Sequence, residues 1–261
     1  MKKCIFLIIL IVCCSFIFCG CIKKKETKDD LALIKEKGYL TVGVKTDSAP
    51  FGFYKNTQLV GVDIEIAKYI ANEIFPDKPD NIKYISVSSQ NRISKLNTRE
   101  VDILVATMSV NDKRKLVIDF SVPYFATTQK IMVMKNSKIS NLNYFNTYGK
   151  IAVVMGTTGE KILHYIAPNA SVVGARTYLE AKKLLNTKQV DAIFGDDIIL
   201  SGLNKEKKFK IVNKAYSREF YAVALRKSQK SKELLNVVNA SVAELLDTKQ
   251  INLIKNRWIV D

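Results

Sequence analysis

The sequence predicts an α/β protein built from two lobes. Short apolar runs of strand length alternate with amphipathic stretches of helical period along most of the 261 residues. Strands that alternate with helices form parallel sheets with helices on both faces. The alternation is interrupted at 119–128, where the pattern is neither helical nor clearly that of a strand, and a second extended segment, 216–225, follows the second α/β block. We therefore expect two doubly wound sheets joined by a two-stranded hinge.

The spacing of apolar residues places the individual elements. Ile66, Ile70 and Ile74 recur on one helical face, and Thr177 and Glu180 form a capping pair before an amphipathic run. The predicted helices are 62–75, 178–187, 232–247 and a shorter one that ends near residue 258. The predicted strands are 39–44, 82–87, 103–108, 130–134, 151–155, 171–174, 192–195, 210–212 and 220–225.

The same pattern gives boundaries for the two lobes. Lobe 1 is predicted to contain 31–124 together with 222–261, because the helical tail has no sheet of its own and must pack back on earlier elements. Lobe 2 is predicted to be 129–218. The hinge crossings between the lobes are then 125–128 and 219–221.

The first twenty residues predict a secretory signal. Lys2 and Lys3 form a short basic region, and the apolar run 5–18 that follows is short for a membrane-spanning helix. The ending Phe-Cys-Gly-Cys resembles a bacterial lipoprotein processing site, which implies that Cys21 carries the lipid of a membrane anchor and that 21–30 is a tether. The alternatives are an ordinary signal peptide or an uncleaved N-terminal anchor.

Composition limits the chemistry of the exported domain. All five cysteines lie at or before residue 21, so we expect no disulfide, no cysteine-based metal site and no cysteine nucleophile. The one histidine, His164, lies in a predicted helix, and we expect no metal and no cofactor. The net charge is +16, but its lysines are spread among acidic residues. The one dense run, 23–25, lies in the tether, where it suits an anionic membrane surface, so we expect no nucleic-acid partner.

Polar and charged side chains gather after the predicted strands. Ligands bind beyond the carboxyl ends of the strands in sheets of this kind, so these side chains are candidates for one site. A single Ser, Thr, Asn or Asp at such a position is typical of a helix cap, whereas several charged residues at one edge favour a binding site. The candidates are Lys45, Asp47, Arg92, Thr107, Ser109, Arg114, Thr157, Thr158 and Asp196.

These groups suit a small zwitterion. A carboxylate binds well to an arginine fork, to hydroxyl donors and to a helix N-terminus. Arg114 with Ser109 on one lobe, and Thr157 with Thr158 on the other, supply such groups. An ammonium group binds an ionised carboxylate, and Asp196 is best placed for that role. The pattern therefore predicts capture of a free amino acid rather than catalysis.

Several stretches resemble the family 3 solute-binding proteins of ABC amino-acid importers, in the right order over nearly all of the exported chain. They are GYLTVGVKTDSAPFGF, GVDIEIAKYIANEI, SSQNRISKL, VDILVATMSVNDKR, DFSVPY, GKIAVVMGTTGEK and VDAIFGDD. The resemblance implies the type II periplasmic-binding-protein fold and an ABC permease as membrane partner. We expect a monomer that is lipid-anchored at the cell membrane on its extracytoplasmic side.

The resemblance also implies roles for individual residues. Arg114 would hold the α-carboxylate of the ligand, helped by Ser109 and Thr158. Asp196 would hold the α-amino group, and Thr107 would accept through its backbone carbonyl.

For the ligand side chain, Lys45 and the segment SSQNRI look like the glutamate/aspartate-binding branch of the family. Arg92 would there grip a side-chain carboxylate, since burying a second carboxylate without a basic partner is costly. The alternatives are a different polar amino acid such as glutamine or cystine, with Arg92 bracing its own helix instead. The alternatives from other functional classes are a cyclohexadienyl dehydratase-like enzyme on the same fold, with Glu160 or Asp197 as its acid, and a ligand-sensing module.

Overall fold

The structure is a computed structural model that describes residues 28–78 and 81–259. The predicted signal (1–20), the lipidation site Cys21 and most of the predicted tether (21–30) lie outside the described residues. In the part that is described, no helix combines the length and the apolar character needed to cross a membrane.

The described residues form fourteen strands and nine α-helices, with short 3-10 helices at Leu142–Asn146 and Gln229–Ser231. The strands are β1 (Leu40–Val44), β2 (Asp47–Ser48), β3 (Gly52–Lys55), β4 (Gln58–Val60), β5 (Ile82–Ser86), β6 (Ile103–Leu104), β7 (Ile118–Phe120), β8 (Phe125–Met134), β9 (Lys150–Val154), β10 (Ser171–Ala175), β11 (Ala192–Asp196), β12 (Phe209–Ile211), β13 (Arg218–Tyr221) and β14 (Ala224–Arg226). The helices are α1 (Asp30–Lys37), α2 (Val62–Ile74), α3 (Arg92–Asn97), α4 (Asp112–Lys115), α5 (Thr158–Ile166), α6 (Tyr178–Asn186), α7 (Asp197–Leu203), α8 (Lys232–Asp247) and α9 (Gln250–Trp258).

Lobe 1 is organised around a five-stranded sheet with the order β5-β1-β6-β14-β7. Strand β1 runs parallel to β5 and β6, whereas β14 runs antiparallel to β6 and β7. The sheet is thus mixed, with a parallel part as the sequence predicts and an antiparallel strand β14 that enters it from the far lobe. The parallel part still directs the ends of β1 and β6 to the same edge, where the candidate site lies.

Helix α2 covers one face of this sheet. Ile66, Ile70 and Ile74 are buried on it, as their spacing predicts. Helices α8 and α9 pack against α2, and Val238 and Val242 of α8 join the same hydrophobic core. The tail thus contributes apolar surface to lobe 1, and burial of such surface is the main stabilising contribution to the fold.

Strands β2, β3 and β4 form a small antiparallel sheet that the strand pattern did not predict. The backbone of β3 approaches that of Lys45 closely, since a Cβ at Gly52 would lie 2.1 Å from the Lys45 carbonyl oxygen. Glycine is required where two backbones come this near. The small sheet therefore fixes the segment after β1, which carries two candidate residues.

Lobe 2 contains a sheet with the order β10-β9-β11-β8-β12. Strand β9 is parallel to β10 and β11, and β8 is antiparallel to β11 and β12. Its separate hydrophobic cluster includes Phe145, Leu163 and Phe194. Helix α5 starts after β9 and α7 directly follows β11, so both helices begin at the edge of the sheet that faces lobe 1.

Two antiparallel strand segments connect the lobes. The first residues of β8 pair with β13, from Phe125 opposite Tyr221 to Thr128 opposite Arg218. Strand β8 continues from this ribbon into the lobe 2 sheet, and the chain after β13 continues into β14 of lobe 1. The ribbon occupies the segments for which the sequence predicts hinge crossings.

Two predicted strands differ from the structure. The predicted strand 103–108 ends after Leu104, because the chain turns at Thr107 into the left-handed region with a φ of 47°. The predicted strand 220–225 is divided between β13 and β14. Both differences lie at the cleft, where the backbone leaves the regular ladder.

Candidate functional site

The nine candidate residues lie on both sides of the cleft between the lobes, at the carboxyl ends of strands. The lobes touch across it. The Arg114 guanidinium donates to the Gly156 carbonyl at 3.2 Å, and the Tyr178 amide donates to the Asp47 carboxylate at 3.1 Å. The hydroxyls of Ser109 and Thr158 are 3.5 Å apart. The structure is therefore a closed arrangement.

Arg114 is positioned by its own short helix. Asn111 caps α4 by accepting from the Arg114 amide at 2.9 Å, and one guanidinium nitrogen donates to the Ser109 carbonyl at 2.7 Å. Burial lowers the pKa of Arg114 to about 9, and the positive charge of Arg92 adds to the effect. A buried guanidinium beside a second cation strongly attracts an anion.

The two threonines at the start of α5 have different environments. The Thr157 hydroxyl donates its proton to the Val154 carbonyl at 2.7 Å, and its oxygen caps α5 by accepting from the Glu160 amide, so its proton is already used within lobe 2. The Thr158 hydroxyl faces the cleft and donates to the Glu219 carboxylate at 2.5 Å. Of the pair, Thr158 is the one whose side chain lies beside Ser109.

Asp196 lies at the end of β11 and is almost fully buried. Its carboxylate accepts from the Gln129 amide at 3.0 Å and from the Tyr178 hydroxyl at 3.1 Å. The Tyr221 hydroxyl also faces it, but makes no hydrogen bond of normal geometry within the described residues. Burial, together with the negative charge of Glu219, raises the pKa of Asp196 to about 6. No cation pairs with this carboxylate among the described residues, so it suits a cationic ligand group.

Arg92 is the first residue of α3 and is buried. One guanidinium nitrogen donates to the carbonyls of Ala106 at 2.6 Å and Thr107 at 3.2 Å. Its Nε has no hydrogen-bond partner among the described residues, and none of their carboxylates forms an ion pair with it. Burial lowers the pKa of Arg92, while the charge of Asp196 opposes that shift. The guanidinium thus shares the cleft with Asp196 and retains hydrogen-bonding capacity.

Buried Lys45 forms an ion pair with Asp47, which is partly exposed. The ammonium nitrogen lies 2.9 Å from the Asp47 carboxylate and 3.4 Å from the Ser89 hydroxyl. It also lies 5.9 Å from the centre of the Tyr178 ring, which belongs to lobe 2. Burial lowers the pKa of Lys45, and Asp47 opposes that effect. This end of the cleft therefore presents a donor and an acceptor side by side.

Thr107 contributes its backbone rather than its side chain. Its amide donates to the buried carboxylate of Asp63 at 2.8 Å. Its carbonyl accepts from Arg92, so the oxygen that the family resemblance assigns to the ligand already has one partner. A carbonyl oxygen has two lone pairs, and the second is not used by this contact.

Several site residues were not among the sequence candidates. Gln129 and Glu219 sit on the strands that cross between lobes, and Tyr178 begins α6. Asp63 and Tyr124 form a buried pair behind the cleft, where the Tyr124 hydroxyl donates to Asp63 at 2.7 Å. Adjacency to the predicted crossings was a usable signal for the first two. No spacing in the sequence marks the others.

A surface pocket of about 380 Å³ opens on one flank of the cleft. Its lining includes Thr158 and Glu219, with Lys113, Lys161 and Arg218 around the rim. Arg92 and Asp196 do not line it, and both side chains are buried. The described residues contain no cluster of His, Cys, Asp or Glu suited to a metal ion.

Comparison with known proteins identifies the family to which this chain belongs. The family model for "Bacterial extracellular solute-binding proteins, family 3" matches residues 40–261. The chain belongs to this family, and the predicted family resemblance is confirmed.

Individual relatives agree with this assignment. The chain is 34% identical to the ABC transporter glutamine-binding protein GlnH of Bacillus subtilis over 97% of this chain and 92% of that protein. It is also 34% identical to the glutamine-binding protein of Geobacillus stearothermophilus, over 80% of this chain and 82% of that protein.

A solved structure shares the fold. The ancestral amino acid-binding protein AncCDT-1, described as a precursor of cyclohexadienyl dehydratase, superimposes with a TM-score of 0.81 at 27% identity, covering 88% of this chain and 99% of its own. The prediction of a two-lobed α/β binding protein is confirmed, and so is the prediction of a binding protein rather than an enzyme, since the relatives are transporter binding proteins.

Proposed function

We propose that this protein is the substrate-binding component of an ABC amino-acid importer, and that its ligand is glutamine. The observation that carries the first part is the placement of Arg114 on lobe 1 and Asp196 on lobe 2, both buried in one closed cleft. A cation and an anion held on opposite walls suit the two charged groups of one zwitterion. The glutamine-binding relatives support the same ligand class.

The α-carboxylate of the ligand binds Arg114, with Ser109 and Thr158 as hydroxyl partners. The α-ammonium group binds Asp196. Charge-assisted hydrogen bonds contribute about 1.5–3 kcal/mol each, so a few of them give micromolar or tighter binding after the cost of ordering is met.

The ion pair Lys45–Asp47 favours glutamine over an acidic amino acid. A carboxamide has one acceptor oxygen and one donor nitrogen, and Lys45 and Asp47 offer the complementary donor and acceptor. A side-chain carboxylate would meet Asp47, whose negative charge repels it, and would find the charge of Lys45 already compensated. The acidic preference predicted from the sequence therefore gives way to an amide preference in this proposal.

Glutamate is the second candidate, and Arg92 is the observation that favours it. Its guanidinium has no carboxylate partner and has an unpartnered Nε in the described part of the chain. A side-chain carboxylate there would complete a charge-assisted bond. For glutamine, the same nitrogen binds the amide oxygen.

Binding is coupled to movement of the lobes. The ribbon of β8 and β13 is the hinge, and the two lobes close over the ligand as rigid bodies. Residues 21–30 tether the protein through a lipid on Cys21, so that the closed monomer meets the ABC permease at the outer face of the membrane.

Calorimetric titration of the purified protein with the twenty amino acids tests the proposal. Glutamine should bind most tightly, glutamate should bind more weakly, and apolar and cationic amino acids should not compete. Tightest binding of glutamate would replace glutamine by the second candidate. Absence of binding by any amino acid would overturn the function itself.

A further inference from the structure

Asp63 is a fully buried carboxylate that does not reach the cleft. It lies in the first turn of α2, where it accepts from the Thr107 amide at 2.8 Å and from the Tyr124 hydroxyl at 2.7 Å. Within the described residues it has no ion-pair partner. Burial raises the pKa of Asp63 to about 6, while its two hydrogen bonds and the charge of Arg92 oppose the shift. A buried carboxylate without a paired cation is destabilising, so its presence in α2 needs a structural or functional explanation.

The reason lies in the conformation of Thr107. Its φ is 47°, which places a β-branched residue in the left-handed region. Such residues are outliers there, and the strained conformation persists only where its surroundings hold it. The bond from the Thr107 amide to the Asp63 carboxylate is charge-assisted and therefore strong. A neutral acceptor in place of Asp63, such as a hydroxyl or a water molecule, would hold this peptide less firmly.

The conformation of Thr107 in turn orients Arg92. The carbonyls of Ala106 and Thr107 both accept from one guanidinium nitrogen, at 2.6 Å and 3.2 Å. These two carbonyls are the hydrogen-bond acceptors that the described residues provide for Arg92. The peptide whose amide Asp63 holds carries the Ala106 carbonyl, so rotation of this peptide would turn that carbonyl away and loosen the guanidinium.

We propose that Asp63 is a positioning residue for ligand specificity: by locking Thr107 in the left-handed conformation, it aims the Arg92 guanidinium at the ligand side chain. This inference rests on the proposed function, in which Arg92 binds the side-chain amide. Asp63 itself does not touch the ligand.

The test compares glutamine with norvaline, whose side chain has a similar length but no amide. Asp63→Asn preserves the shape of the side chain but replaces the charged acceptor by a neutral amide. It should weaken glutamine binding about tenfold and norvaline binding less than threefold, as expected when one charge-assisted contact is lost. Asp63→Asn and Arg92→Lys together should cost less for glutamine than the two single effects combined.

Asp102→Asn is the matched control. Asp102 is also a lobe 1 carboxylate that accepts a backbone amide, that of Thr41 at 2.8 Å, but it directly precedes β6 at the end of the sheet away from the cleft, where it also pairs with Lys37. The control should lower stability and leave the glutamine-to-norvaline ratio unchanged. An equal loss for both ligands in Asp63→Asn would show a general structural role and overturn the proposal.

A rescue variant separates positioning from folding. Asparagine adopts the left-handed region more readily than threonine, so adding Thr107→Asn to Asp63→Asn should restore glutamine binding to within about threefold of the wild type. If Asp63→Asn does not fold, Tyr124→Phe takes its place, since it frees one oxygen of the same carboxylate. Tyr124→Phe should lower the affinity for glutamine about threefold and leave the affinity for norvaline unchanged. Adding Thr107→Asn should reverse the loss. An unchanged glutamine affinity in Tyr124→Phe would overturn the proposal.

A readout without ligand keeps the proposal independent of the ligand's identity. The Nε–H resonance of Arg92, assigned by its disappearance in Arg92→Lys, should shift or broaden in Asp63→Asn and stay unchanged in Asp102→Asn. If wild-type protein fails to bind glutamine, the proposed ligand is wrong, yet this spectrum still decides the role of Asp63. An unmoved resonance in Asp63→Asn would overturn that role.

Discussion

Lobe 1 and lobe 2 bring different charges to the cleft, and they stabilise them differently. Lobe 1 supplies Lys45, Arg92 and Arg114, and each of these cations contacts oxygen atoms of lobe 1 itself. The carboxylate of lobe 2, Asp196, is held by the neutral donors Gln129 and Tyr178. The cations are thus partly compensated before a ligand arrives, whereas the carboxylate is not.

This difference suggests a division of labour between the lobes. A set of compensated cations on lobe 1 can hold an anionic or polar ligand while the cleft is open. An uncompensated carboxylate on lobe 2 gains most from the ligand ammonium group, and it gains it only when the lobes close. Closure is then favoured by the ligand because the ligand interacts differently with the open and closed states.

Arg114→Ala should have the largest effect on affinity. It removes the fork for the α-carboxylate, and two charge-assisted bonds correspond to a loss of about 100-fold or more. The loss should be similar for every amino acid that binds, since all share this group. Calorimetric titration measures it, and Lys113→Ala, on the same short helix, is the control. Unchanged affinity in Arg114→Ala would remove Arg114 from the site.

Asp196→Asn should weaken amino-acid binding by about ten- to 100-fold, because one charge-assisted contact to the ammonium group becomes neutral. In the wild type, affinity should fall as the pH drops below about 6, the raised pKa of Asp196. Asp63 also has a raised pKa near that value, so the difference between wild type and Asp196→Asn isolates the contribution of Asp196. An identical pH profile in both proteins would contradict the assignment.

The same substitution should act in the opposite direction on stability. The pKa of Asp196 rises on folding from 3.8 to about 6. Its contribution to stability is therefore full below the unfolded value and is lost as the pH rises through the folded one. Ligand-free Asp196→Asn should consequently be more stable than the wild type at pH 7 and above, which thermal unfolding measures. A less stable variant at that pH would argue that the carboxylate has a hidden cationic partner.

Arg92→Ala should have an intermediate effect that depends on the ligand. Loss of the guanidinium should cost about tenfold for glutamine or glutamate and little for norvaline. Titration with the three ligands separates binding of the ligand side chain from binding of the α-carboxylate and α-ammonium groups, which all three share. Equal losses for all three ligands would indicate that Arg92 does not bind the ligand side chain. It would then brace its own helix, which is the alternative that the sequence leaves open.

The sequence predicted which helices are present better than where individual strands end. Amphipathic spacing located α2, α6 and α8 because burial on one face leaves a regular pattern, as at Ile66, Ile70 and Ile74. The strand predicted over 103–108 failed because nothing in its apolar run signals the left-handed turn at Thr107. The Thr107 amide in that turn donates to Asp63, which lies 44 residues earlier in the chain, and local patterns do not report such long-range contacts.

The same reasoning applies to the site. Four of the candidates lie at or after the ends of strands: Ser109, Arg114, Thr158 and Asp196. Because ligands bind at the carboxyl ends of the strands in such sheets, the sequence could predict that these four lie together. Their companions Gln129 and Glu219 lie within or beside strands of the ribbon, and alternation along a strand does not distinguish a cleft-facing polar residue from a solvated one. Lys45 and Asp47 lie two residues apart in the sequence, but the burial of Lys45 depends on packing of the small sheet against the segment after β1. Specificity for the ligand side chain was therefore the least accessible part of the prediction.

The smallest effect is expected for Thr157, which the sequence placed in the site beside Thr158. Its hydroxyl caps α5 through the Glu160 amide, as Thr177 caps α6 through the Glu180 amide at 3.0 Å. In both caps the glutamate also accepts a backbone amide, from Gly156 or Arg176, so the two are closely matched. Thr157→Ala and Thr177→Ala should each lower the free energy of unfolding by about 1 kcal/mol and leave glutamine affinity within about twofold of the wild type. A selective loss of affinity in Thr157→Ala would restore Thr157 as a ligand-binding residue, since two equivalent caps cannot differ in binding unless one of them reaches the ligand.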